Sequence, residues 1–388
     1  MSVGKGAYLK KITSSLPVHA RSVNVGREIE GSSPPSVFIG SYDYPHVFAG
    51  PMIAPVHGDT RIMDTPESWI PASMTQEEII DFRLSLVRGK HQVHATDIDN
   101  RFVGKLQEIA LSSGSIESEA TFLDVPSGLM FSDEAAPHGP SARIEHLAIE
   151  GAGWDRDLEK VYHDTDLPAA EGVVALHAKG IPFSQIQKAF SVGAMGTGRN
   201  RKLVPTRWSI TACDTTIGNN LLQDVKRCSV IDSYRVHEFD SLNNHYAVIL
   251  TPTPWQYEWI EAFLHVLGRD EMVFADHEGN RGKKGYSSVG GCYYSCRMAV
   301  LDALASEGVQ AGAIILREAR KGYIPLGVFN VRENVRHAMA SQFTEFESLN
   351  DALAHASGSF SLPVSRFTEE STLLKNMKRE RQMVLSSF

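Results

Sequence analysis

The chain has 388 residues, with 38 Lys+Arg against 46 Asp+Glu, a formal net charge of −8, and 42% hydrophobic and 22% charged residues. At about 150 residues per domain this allows two or three domains or one large one. The composition excludes a disordered chain, a fibre and a protein that is basic throughout, so any nucleic-acid contact needs a local patch of opposite sign. Four cysteines, Cys213, Cys228, Cys292 and Cys296, make no disulfide framework. The opening residues lack the apolar run of a secretory signal, and no window approaches the roughly 18 apolar residues of a membrane span. The expectation is a reduced, cytoplasmic protein with no membrane contact.

In chain order, residues 1–35 are polar, rich in Gly, Ser and basic side chains, and read as a loosely ordered lead-in. Val37-Phe38-Ile39-Gly40 suits a short strand. Pro45, Pro51 and Pro55, with Gly50 and Gly58, predict a loop with rigid turns. Thr75 followed by Glu78 has capping-box spacing and predicts a helix through Ile79, Ile80, Phe82, Leu84 and Val87. A second helix is predicted over 100–113 from apolar spacing. Strands are predicted over 142–149, 229–236, 245–252 and 311–318, and helices over 254–264, 292–306 and 332–355. The helix at 254 rests on Pro254 at its first turn. Helices and strands mix without a clean βαβ alternation. The expected fold is α+β (mixed α/β), one large domain over 36–367, with a basic tail at 368–388.

Two stretches could carry chemistry. Gln185–Cys213 holds Lys188, Arg199, Arg201, Lys202 and Arg207 and no acid, with Gly193, Gly196 and Gly198 at its centre. Glycines let backbone N–H groups approach an anion and cations neutralise it, which suits a phosphate of DNA, RNA or a nucleotide. It is not a Walker P-loop. The same residues also suit a mobile basic loop, or cations paired with acids elsewhere. The second stretch, 279–301, holds Arg281, Lys283, Lys284 and Arg297, again with no acid. Its Tyr286, Tyr293 and Tyr294 suit either base stacking or a core, and glycines lead into a helix start near Cys292.

Other sets are weaker. Cys292 and Cys296 would share a helical face, but zinc needs four ligands and Cys213 and Cys228 are not a second pair. His91, His94, Asp97 and Asp99 suit either a divalent metal or a polar surface. No metal site is assigned, and no cofactor is specified. Arg317-Glu318 and the Arg332–Arg336 run suit a buried Arg–Glu network.

Four collinear blocks carry a resemblance: Ser33-Pro-Pro-Ser-Val-Phe-Ile-Gly-Ser-Tyr-Asp-Tyr-Pro-His-Val with Gly50-Pro, Arg201-Lys-Leu-Val-Pro-Thr-Arg-Trp-Ser-Ile-Thr-Ala, Gly290-Gly-Cys-Tyr-Tyr, and Pro325-Leu-Gly-Val-Phe-Asn-Val-Arg-Glu-Asn-Val-Arg. Together they span about 33–340 and resemble the archaeal Nre DNA repair proteins. The resemblance implies a role in DNA damage repair and binding to the sliding clamp PCNA through a C-terminal peptide. That peptide maps onto Gln382, Met383, Val384, Leu385, Ser386, Ser387 and Phe388. A spacing of three would set Leu385 and Phe388 on one side of a helical turn, with Gln382 at the rim of the pocket they enter. Lys375, Lys378, Arg379 and Arg381 flank it. The sequence departs from the family in two places: Ser387 stands where a second aromatic is usual, and no cysteine precedes Cys213 to form the N-terminal zinc motif of some members.

The reading is therefore a clamp-recruited DNA repair factor with a basic, Gly-rich cleft. The residues assigned to DNA or a nucleotide phosphate are Arg199, Arg201, Lys202, Arg207, Lys283, Lys284, Tyr294 and Arg297. The alternative is a nuclease or nucleic-acid- or nucleotide-modifying enzyme that uses the basic loop with a metal or nucleotide cofactor. No catalytic residue is assigned.

Overall fold

The computed structural model describes residues 4–15, 23–132, 135–151 and 153–385, with backbone alone at 15 and 380–385. The α+β class is observed. The chain packs as two compact units, the first of Pro17–Ile217 and the second of Met1–Leu16 with Gly218–Phe388. Two six-stranded sheets each build an apolar core. Among the described residues before position 35 are one helix and one strand. Helix α1 (Lys5–Ser15) places Tyr8, Leu9 and Ile12 on one face, and all three are buried with Phe263, Ala319 and Tyr323 of the second unit.

The first unit begins with strands β1 (Glu28–Ser33), β2 (Val37–Ile39) and β3 (His46–Ile53). Then come helices α2 (Pro66–Trp69) and α3 (Gln76–Ser85), strand β4 (Val87–His94), helix α4 (Arg101–Leu111), and strands β5 (Ile116–Phe122) and β6 (Ser141–Glu150). Helices α5 (Arg156–His163), α6 (Ala169–Ala178), α7 (Phe183–Ser191) and α8 (Thr206–Val225) follow, and α8 runs on into the second unit. The strand order is β1-β5-β6-β4-β3-β2, with β4 and β6 parallel and the other neighbours antiparallel.

The capping box is present: Glu78 N–H donates to Thr75 Oγ1 at 3.2 Å, and Thr75 N–H donates to the Glu78 carboxylate at 2.8 Å. The loop predicted around Pro45–Pro55 is largely strand β3. Proline is tolerated there because the pairing with β4 runs from Ala49–His91 to Met52–Arg88 and skips Gly50 and Pro51. Gly50 lies so close to β4 that a Cβ would meet the Gly89 carbonyl oxygen at 1.8 Å.

The second unit continues with strands β7 (Tyr234–Ser241), β8 (Asn244–Thr251), β9 (Tyr257–Leu264) and β10 (Glu271–Glu278), helix α9 (Gly291–Glu307) and strand β11 (Gly312–Ala319). Helix α10 (Val328–Ala340), strand β12 (Thr344–Phe346) and helices α11 (Leu349–Ser357), α12 (Val364–Glu370) and α13 (Leu373–Leu385) complete it. The order is β10-β9-β11-β8-β7-β12, with β9 and β11 parallel. Ile249, Ile260, Ile314 and Leu316 pack under Leu353, Phe367 and Leu374 of the last helices.

Three sequence expectations are corrected here. The helix predicted at 254–264 is strand β9, buried along almost its whole length. A strand covered on both faces reads as a continuous apolar run, and periodicity cannot separate that from a buried helix. The helix predicted over 332–355 is broken into α10, β12 and α11, because Thr344–Phe346 pairs along β7. The strand predicted from 229 starts at Tyr234.

Burying β9 also buries its acids. Glu261 accepts from Arg317 at 2.8 Å and from Lys5 at 2.6 Å, and Arg317 also donates to the Asn244 side chain. Glu318 accepts the Leu362 N–H at 2.6 Å. Arg317, which the sequence placed in a buried Arg–Glu network, pairs with Glu261 of β9, while its neighbour Glu318 pairs with Arg320 at 2.7 Å. Glu258 accepts the N–H groups of Thr372 and Leu373 at 2.6 and 3.1 Å, which fixes the start of α13.

Candidate nucleic-acid interface

The acid-free stretch at 185–213 is α7, a glycine-bearing turn and the first turns of α8. Gly193 has φ +68°, and a Cβ there would meet the Lys202 carbonyl oxygen at 2.8 Å, so only glycine fits. Several amides of this turn already have acceptors. Gly193 N–H donates to Phe190 O at 3.2 Å, Ala194 N–H to Ala189 O at 3.0 Å, and Gly198 N–H to Thr165 O at 2.9 Å. The glycines shape the turn, and these three amides are not held open for an anion.

The five cations of this stretch divide by environment. Lys188 is buried, and its ammonium lies 2.8 Å from the Asp64 carboxylate, which Arg83 shares. Burial pushes the Asp64 carboxyl up, but Arg83 and Lys188 outweigh it and hold it below the usual range. Arg201 is half-buried. It donates to Gly196 O at 2.8 Å and Asp164 O at 2.9 Å, and its guanidinium lies 5.5 Å from the Tyr162 ring centre. Those bonds tie the turn to the end of α5. Arg199, Lys202 and Arg207 are exposed along the segment that enters α8.

Beside this segment lies a feature that the sequence reading did not single out. Tyr44 and Trp208 are 38% and 44% exposed with ring centres 5.1 Å apart, and Tyr42, on the same β2–β3 turn, is 86% exposed. The turn is closed by His46 N–H donating to Asp43 O at 2.9 Å, with Asp43 at φ +65°. Ile39 N–H donates to Thr206 Oγ1 at 2.9 Å, tying β2 to the first turn of α8. Ala95 N–H donates to Pro45 O at 2.8 Å and Leu203 N–H to Ala95 O at 2.7 Å, so the three segments form one surface. The available signal was two tyrosines in the turn Tyr42-Asp-Tyr-Pro and a tryptophan right after an arginine. What the sequence could not show was their adjacency.

The second acid-free stretch finds its acids on β10. Lys283 pairs with Asp276 at 2.5 Å, and Arg297 is buried and pairs with Glu278 at 2.7 Å. Trp255 Nε1 donates to the same Glu278 oxygen at 2.9 Å. Burial raises the Asp276 carboxyl, yet hydrogen bonds from Lys283, Ser287 and Ser288 outweigh it and hold the carboxyl low. Tyr294 packs on Tyr286 and Tyr293, and its hydroxyl accepts the Ser287 N–H at 2.9 Å. Lys284 is exposed. These residues belong to the second unit and Arg199–Arg207 to the first.

The remaining candidates are dispersed. Burial pushes the Cys292 thiol up to about 12, and Cys296 is also buried and raised. His91 packs on Phe102, and His94 bonds Thr96 Oγ1 at 2.8 Å. Among the described residues, no three His, Cys, Asp or Glu side chains gather as a metal site, and no helix is long and apolar enough to cross a membrane. Of the clamp peptide, Gln382, Met383, Val384 and Leu385 continue the backbone of α13. Their side chains, with Ser386, Ser387 and Phe388, lie outside the described residues.

Fold and surface together define an α+β protein of two sheet-centred units, the first bearing exposed cations beside exposed aromatic rings. Residues 8–266 match the archaeal Nre N-terminal family and residues 278–388 the archaeal Nre C-terminal family. The chain is 40% identical to "DNA repair protein NreB" of Archaeoglobus fulgidus, over 99% of this chain and 98% of that one. It is 32% identical to "DNA repair protein NreA" of the same organism, covering 87% and 86%. It is 29% identical to "DNA repair protein NreA" of Haloferax volcanii, covering 92% and 88%. The chain belongs to the archaeal Nre family. No solved structure matches it.

Proposed function

We propose that this protein is a DNA repair factor that meets DNA through the 198–208 surface of its first unit and is recruited to the sliding clamp PCNA by Gln382–Phe388. The observation that carries the repair role is 40% identity, over nearly the whole of both chains, to a protein named for DNA repair. The DNA surface is argued from Arg199, Lys202 and Arg207, exposed on one short segment in a chain of net charge −8. Lys283 and Arg297 are spent on Asp276 and Glu278, so they are weaker phosphate ligands than the sequence suggested.

Clamp recruitment is argued from the spacing of Gln382, Leu385 and Phe388 and from the way α13 is mounted. Leu373 and Leu374 are buried and Glu258 holds the first turn. From Leu373 to Gln382 is nine residues, or about 13 Å of helix. The rooted end thus presents the peptide instead of trailing it. The test is calorimetry of the full chain with PCNA. Phe388→Ala should lose about 3–5 kcal/mol if the ring fills a pocket as a core Phe does. Equal affinity of wild type and variant refutes recruitment by this peptide. DNA binding should weaken steeply with added salt.

A further inference from the structure

We propose that Tyr42, Tyr44 and Trp208 form a stacking platform for unpaired bases, so that the strand taken by this surface is single-stranded or locally opened DNA. The inference rests on the proposed DNA-facing role of 198–208 and specifies which DNA that surface takes.

Three observations carry it. First, the exposed aromatic rings of the first unit are concentrated here: among the described residues its other exposed large apolar side chains are Val56, Leu123 and Val125, all aliphatic. Burying an aromatic ring is favourable, so three rings left open on one turn and one helix start call for an occupant. Second, the rings are held in place from beneath. The β2–β3 turn is closed by the His46–Asp43 bond and tied to α8 through Ile39 and Thr206, and Trp208 N–H donates to Pro205 O at 2.9 Å. A ring on a fixed backbone loses little freedom when a base stacks on it. Tyr44 and Trp208 are tilted by 57°, so they form an open notch and not a closed stack. Third, exposed cations stand beside the notch, against one exposed acid in the β2–β3 turn, Asp43. Arg207 precedes Trp208, and Lys202 and Arg199 lie on the segment leading to it, all exposed.

Together these choose the occupant. Planar faces flanked by cations match a base with its phosphate, because every base has a π-face whatever the sequence. Inside a duplex those faces are covered by neighbouring base pairs, so an intact duplex offers the cations phosphates but leaves the rings empty.

The experiment compares full-length wild type, Trp208→Ala, Trp208→Phe and Tyr42→Ala. Each is titrated against labelled oligo-dT, the same length of duplex DNA and oligo-U RNA at one fixed salt concentration, and melting curves check folding. Tyr42 is so exposed that its variant leaves the fold intact. Wild type should prefer oligo-dT. Trp208→Ala should lose roughly tenfold on oligo-dT and little on duplex, Tyr42→Ala should lose a smaller factor, and Trp208→Phe should restore most of the binding. If wild type binds both DNAs and the variants change neither, or weaken both alike, the platform is refuted while the DNA-facing surface stands. Tighter binding of oligo-U than oligo-dT overturns the DNA assignment. If wild type binds no nucleic acid, the surface reading falls and the platform with it.

Discussion

The two acid-free stretches look alike as sequence and differ as structure. In 279–301, Arg297 and Lys283 neutralise acids of the adjacent strand β10, and Arg297 lies buried 2.7 Å from Glu278. In 185–213, Lys188 does the same for Asp64, while Arg199 and Lys202 are exposed. A run without acids is therefore not yet a positive field. The field depends on whether the acids that answer it come from a distant part of the chain. Asp276 is seven residues from Lys283, but Asp64 is 124 residues from Lys188, a distance no local reading spans.

The sharpest way to break this distinction is to remove the cations assigned to structure. Arg297→Met strips Glu278 of its ion-pair partner while leaving Trp255 as a donor, and should destabilise the second unit by about 3–5 kcal/mol. A urea titration checks it. If stability is unchanged and DNA binding falls instead, Arg297 belongs with the binding cations and the comparison is wrong.

Lys188→Met should cost less, about 1.5–3 kcal/mol, because Arg83 still serves Asp64. This variant also has a pH signature. The folded value of Asp64 is depressed, so its contribution is fully present above the unfolded value of about 3.9 and is lost as pH falls through the lower folded value. Removing Lys188 moves that folded value back up. The gap in stability between wild type and variant should therefore narrow on acidification below about pH 4. A constant gap down to pH 2 would mean that Lys188 does not act through the carboxylate.

The same distinction shows what could be read in advance. Thr75 with Glu78 announced α3 because a capping box is a local device. The α+β class was readable from mixed periodicities, and β11 from its apolar run. Strand β9 was misread because its signal is burial on both faces, and burial is decided by strands and helices far along the chain. The division into two units was hidden for the same reason: no Pro- or Gly-rich linker marks it, and α8 crosses it without a break. At the candidate interface the cations were visible and the aromatic notch was not, since Tyr44 and Trp208 are brought together only by the tie between β2 and α8. The glycines were visible, but what requires one at Gly193, the close carbonyl of Lys202, was not.

The smallest effect on stability belongs to the cations assigned to binding. Arg199→Ala and Lys202→Ala remove exposed side chains from a turn whose shape is set by Gly193 and Arg201, so each should change stability by less than about 0.5 kcal/mol. Their effect should appear instead in salt dependence. Removing one cation that neutralises a phosphate of a single strand should flatten the slope of log affinity against log salt by about 0.7, while Lys188→Met, if folded, should leave that slope as it is. Measuring the slope separates a cation that touches DNA from one that merely holds the protein in shape, because counterion release follows phosphate neutralisation and not folding. Equal slopes for Lys202→Ala and wild type would remove Lys202 from the cations that touch DNA. The 198–208 segment would then have to meet phosphates through Arg199 and Arg207 alone.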